Sequence, residues 1–162
     1  MMPFLGWLEQ TGYSVWVREA PTVWAFPFML ILHAIGMGLV AGIHTSICLR
    51  VLGVAPTIPL PAMRNFLPAW WLGLVLNVFS GVSLLIAYPA KALTNPLFYI
   101  KLGLIAVAIW GFLWMRTRVF GDSLPAKARN VAALSIFCWG TAIIAGRWLA
   151  YTYSMLMSGD GR

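Results

Sequence analysis

Apolar residues in this chain do not alternate with polar ones. They gather into four long blocks, at about 23–49, 69–87, 97–115 and 131–151. A helix needs about 20 apolar residues to cross a bilayer, and each block is near that length. The connections between blocks are short, so neighbouring helices must run antiparallel. The pattern predicts an all-α integral membrane protein, a four-helix up-down bundle forming a single transmembrane domain over residues 1–162. Ahead of the first block, Phe4, Leu5, Leu8, Val15 and Trp16 are spaced as one helix face, broken near Gly12. Residues 3–20 therefore read as a short interfacial helix on the outer surface. No basic stretch precedes an apolar core there, so the segment does not read as a cleavable signal peptide.

Composition agrees with this pattern. Of 162 residues, 61% are hydrophobic and only 9% charged, against about 25% charged in a soluble domain. The spans use up the length, which leaves no room for a soluble catalytic domain. The net charge of +7 would point to nucleic acid in a soluble protein. Here it reads as loop charge that sets topology. Arg50, Arg64, Arg116, Arg118, Lys127 and Arg129 lie in or beside the first and third connections, whereas Arg18, Lys91 and Arg162 lie on the opposite side. By the positive-inside rule both termini are outside, which is the periplasm for a bacterial inner membrane. Trp16, Trp24, Tyr88, Phe98, Tyr99, Trp148, Tyr151 and Tyr153 would form the outer aromatic belt, and Trp70, Trp71, Trp110 and Trp114 the inner one. The proline-rich stretch Gly53–Pro68 reads as a stiff connector.

The candidate chemistry centres on the two histidines, His33 and His44, both on the first span and eleven residues apart. Eleven residues at 100° each return to within about 20° of the same direction, with a rise of about 16 Å. The two imidazoles share a face at two depths and cannot bind one iron. Ionisable groups inside a bilayer are functional candidates by default, and imidazole is the commonest metal ligand. Met29, His33, Met37, His44 and Cys48 make a stripe about 100° wide. Gly36 beside it would let a flat macrocycle approach, while Gly38, Gly42 and Ser46 form a small-residue row for helix packing. The bland reading makes Met29, Met37 and Cys48 apolar filler and each histidine a structural imidazole bonded to Asn77 or a serine.

Two cations lie inside spans. Lys101 is about one turn into the third and Arg147 about one turn from the end of the fourth, near the level of His33. No acidic residue lies inside any span, so an anionic ligand such as a haem propionate would be their partner; the alternative is snorkelling. On the second span Gly73, Asn77, Ser80 and Gly81 form a small and polar stripe that should face other helices, with Asn77 placed to bond a histidine's second nitrogen. Ser135, Cys138 and Thr141 on the fourth span read as packing. There is no HExxH, CxxC, phosphate loop or Ser/His/Asp set.

The stretches LHAIGMGLVAG, LRVLGVAPTIPLPAMRNF, NPLFYIKL and AGRWLAY resemble an uncharacterised family of small bacterial four-helix integral membrane proteins. That family is distantly similar to the copper resistance protein D membrane domain and to b-type membrane cytochromes. The resemblance runs from about Ser14 onwards. It implies a four-helix fold with His33, Lys101 and Arg147 as positions of interest. Unlike typical dihaem membrane cytochromes, the chain has no histidine on a second helix.

The expectation is a haem b protein for electron transfer, with His33 and His44 as axial ligands of two separate haems, the opposite axial position being empty, filled by a Met such as Met37, or supplied by a neighbouring protomer. The last option predicts a homo-oligomer among membrane lipids, passing electrons to a quinone or a periplasmic redox partner, with no role for nucleic acid. It reads as an electron carrier rather than an enzyme with its own substrate. Two other readings stand beside it: a Cu(I)-handling protein that uses the Met29–Cys48 stripe, and a cofactor-free accessory subunit of a membrane complex.

Overall fold

The computed structural model of the protein describes residues 2–120 and 124–158. Arg162 lies outside these residues, as do the side chains of Lys91, Tyr151 and Tyr153. Among the described residues all regular structure is helical: α1 (Met2–Glu9), α2 (Gly12–Glu19), α3 (Phe26–Leu52), a 3-10 helix (Leu60–Phe66), α4 (Leu67–Ala87), α5 (Pro89–Leu93), α6 (Pro96–Arg118) and α7 (Ala128–Ser158). The chain is an all-α, multi-pass membrane protein. Four helices are long and apolar enough to cross a bilayer: α3, α4 with its preceding 3-10 turn, α6, and Ala128–Leu149 of α7.

Local chemistry sets the ends of these helices. The α3 helix stops at Gly53, whose φ of 104° is the left-handed conformation that glycine adopts without penalty. The Val54 N–H then reaches back to Leu49 O at 3.0 Å and closes the last turn. The Arg50 guanidinium donates to the carbonyls of Pro56 and Ile58, which folds the proline-rich connector back on the helix end. At the start of α6 the Asn95 side chain accepts from Leu97 N at 2.9 Å, with Pro96 in the first turn where its missing N–H costs nothing.

The contacts divide the chain into two compact units. The first comprises Met1–Gly42 and Pro68–Thr94, the second Ile43–Leu67 and Asn95–Arg162. In the first unit the expected single interfacial helix is two helices. Thr11 ends one and caps the next, its hydroxyl accepting from Ser14 N at 3.4 Å. The inward face also differs from the expected one. Leu5, Ser14 and Val17 are buried, while Phe4 and Trp16 are exposed. The reason is that α2 docks on the end of α4: Tyr13 OH donates to Ser83 Oγ at 2.8 Å, Ser14 Oγ to Ile86 O at 2.9 Å, and Arg18 to Ala87 O at 3.3 Å. Val17, Met29 and Ala87 form the small core beneath.

Also in this unit, α3 and α4 touch backbone to backbone. A Cβ on Gly36 would sit 2.7 Å from Asn77 N, and one on Gly73 would sit 2.6 Å from Leu39 Cβ. Gly36 is therefore a helix-crossing glycine and not an opening for a macrocycle, because α4 already fills that space. The expected packing row is corrected likewise. Cβ atoms on Gly38 and Gly42 would meet nothing within 4 Å, and both residues are exposed with Ser46. Trp70 is not a belt residue either: it is fully buried.

In the second unit α6 and α7 pack as an antiparallel pair. Gly111 admits the Ser135 side chain, whose Oγ would be 2.6 Å from a Cβ there. Cys48, Val51, Met115, Val119, Ala128 and Ala132 form the core at one end of this unit.

Candidate functional site

His33 lies in the first unit, on the turn of α3 just before the Gly36 crossing. Its Nδ1 is 3.1 Å from Ser80 Oγ. A hydroxyl has one hydrogen, and Ser80 Oγ lies 2.6 Å from Leu76 O, one turn back on α4, and 3.2 Å from Asn77 O. Those carbonyls can only accept, so the serine proton points to one of them and Oγ accepts from His33 Nδ1–H. The neutral ring then carries its lone pair on Nε2. Gly81 makes room for the imidazole, since a Cβ there would stand 3.3 Å from His33 Cε1. Asn77 does not bond the imidazole as expected. Its Nδ2 donates to the His33 backbone carbonyl at 3.2 Å, and the serine takes the ring.

His44 lies in the second unit and is fully buried. Its Nδ1 is 2.7 Å from Trp139 Nε1, and its ring stacks obliquely on Phe112 with centroids 4.8 Å apart. An indole nitrogen can only donate, so Nδ1 must accept. The imidazole is therefore neutral with its proton on Nε2, and that buried N–H has no partner among the described residues. One nitrogen has its lone pair engaged and the other carries a proton. In this arrangement the one lone pair of the ring is engaged by Trp139. Trp139 was not singled out from the sequence. The available signal was an indole in mid-span, away from both interfaces, where its N–H needs an acceptor.

The rest of the predicted stripe is divided between apolar surroundings. Met29 packs with Val17 and Ala87 in the first unit. Cys48 packs with Val51 and Met115 in the second. Both behave as filler, and Met37 is partly buried. Among the described residues no three His, Cys, Asp or Glu side chains converge on a point.

Lys101 and Arg147 belong to the second unit, on α6 and α7. The Lys101 stem lies over Gly146, with Nζ 3.3 Å from where a Cβ would be, so a larger residue at 146 would push the ammonium away. Lys101 is half-buried, whereas Arg147 is exposed. Compared with known proteins, the chain matches no family model, no curated protein and no solved structure.

Proposed function

We propose that this chain is an electron carrier of the bacterial inner membrane, both termini periplasmic, that binds haem b through Nε2 of His33. The observation that carries this reading is the Ser80 hydroxyl. With its own proton directed to Leu76 O, it accepts from Nδ1–H, which orients the ring and fixes its tautomer. Imidazoles that ligate metals are held in this way, by a second partner that fixes tautomer and ring orientation. Gly81 admits the imidazole against α4, and Asn77 pins the backbone of the same residue. Bound haem would supply one-electron exchange at its iron, at a potential tuned by the axial ligand and by burial.

One haem site replaces the two expected from spacing, because His44 is committed to Trp139. The second axial position is then open or filled by a second copy, and the latter predicts a homo-oligomer. Electrons would pass to a quinone or a periplasmic partner. The loop cations support the orientation. The copper reading is weakened by the burial of Met29 and Cys48 in separate apolar clusters, which takes soft ligands from both ends of the stripe.

The test is the absorption spectrum of the protein purified from haem-replete cells, oxidised and reduced, with a pyridine haemochrome assay. A Soret band and a haem b haemochrome are expected. A colourless, iron-free preparation contradicts the reading, and copper without iron would favour the Cu(I) alternative.

A further inference from the structure

The electron-carrier reading does not use the basic end of the second unit. There, a half-open cavity of about 590 Å³ is lined by Arg64, Leu67, Arg116, Thr117 and Phe120. Arg64 sits on the 3-10 turn leading into α4, and Arg116 and Thr117 lie in the last turn of α6. Both guanidiniums thus stand at the ends of membrane-spanning segments, where headgroups lie. Two apolar residues, Leu67 and Phe120, complete the wall. In the last turns of α6 the Arg118 guanidinium lies over the Trp114 ring, 5.0 Å from its centroid, as an interfacial aromatic paired with a cation does.

We infer that this cavity is a binding site for the phosphate of an anionic phospholipid. Guanidinium groups bind phosphate oxygens through paired, charge-assisted hydrogen bonds, and basic pockets at the ends of transmembrane helices take anionic headgroups. A free phosphate would need the same two arginines. The apolar wall and the position at the span ends favour the lipid, whose acyl chains can run along Leu67 and Phe120.

The experiment measures lipid retention by native mass spectrometry of the full chain in detergent, titrated with phosphatidylglycerol, phosphatidylcholine or inorganic phosphate. The wild type should retain phosphatidylglycerol in preference to phosphatidylcholine. Arg64→Gln and Arg116→Gln should each weaken that retention about fivefold, as expected for about 1 kcal/mol per surface cation, and Lys127→Gln, outside the cavity, should change it by less than about twofold. The Arg64→Gln variant, at an exposed side chain, carries the test if Arg116→Gln cannot be isolated. Equal retention by wild type and Arg64→Gln overturns the site, and so does an equal loss in Lys127→Gln, which would mean diffuse attraction. Displacement of phosphatidylglycerol by millimolar inorganic phosphate would show that the pocket takes free phosphate, overturning the lipid assignment.

Discussion

The His44–Trp139 pair allows a sharp test, because the chemistry of its two partners fixes who donates. Replacing Trp139 with Phe removes the donor to His44 Nδ1 at a position that is 5% exposed. In soluble proteins, leaving one buried partner unsatisfied costs about 1–3 kcal/mol. Between transmembrane side chains, measured couplings average about 0.6 and reach about 1.7 kcal/mol, because the unfolded chain in the membrane also finds partners. The short 2.7 Å contact and the complete burial of His44 place this pair near the upper value. The smaller ring also leaves a void, adding a cavity cost. His44→Leu strands the indole N–H instead, but it also removes the partnerless Nε2–H. The double variant strands neither group. Unfolding followed in detergent micelles should therefore show Trp139→Phe destabilised by about 2–3 kcal/mol. The double variant should be less destabilised than the sum of the singles by about 1–1.7 kcal/mol. Additivity within about 0.5 kcal/mol would refute the tautomer argument.

Three further outcomes follow from the same geometry. Gly36→Ala places a methyl 2.7 Å from Asn77 N and should lower stability by about 2 kcal/mol or more, whereas Gly38→Ala, with open space around it, should be neutral or slightly stabilising in the same melt. Ser80→Ala removes the acceptor for His33 Nδ1–H and should weaken haem binding about 10–100-fold, read by haem titration, while the helical circular-dichroism signal is unchanged. Ser14→Ala breaks the bond from α2 to Ile86 O and should cost about 1 kcal/mol, with faster proteolysis near the N-terminus.

The sequence was a good guide wherever the bilayer itself sets the rule. Span number and the long apolar helices follow from hydropathy and length, and the stripe Gly73–Asn77–Ser80–Gly81 does meet another helix, at Gly36 and His33. Periodicity tells which residues share a face but not what that face meets. Gly36 and Gly38 are two residues apart, hence on nearly opposite faces, and only the position of α4 decides which is the seam. Asn77 and Ser80 sit on one stripe, one turn apart, and the choice between them as the ring's partner depends on register between helices. His33 and His44 looked equivalent because α3 presents them on one face; their partners on α4 and α7 give them opposite protonation patterns. The break between α1 and α2 was readable in part, since Thr11 ahead of Ser14 is a capping signal.

The central claim is that His33, and not His44, holds a haem iron. Spectra of wild type, His33→Ala and His44→Leu, purified side by side from haem-replete membranes, test it most directly. The account predicts a Soret band in the wild type, its loss with the iron in His33→Ala, and its retention in His44→Leu. A band that survives in His33→Ala, or one that disappears only in His44→Leu, would contradict it.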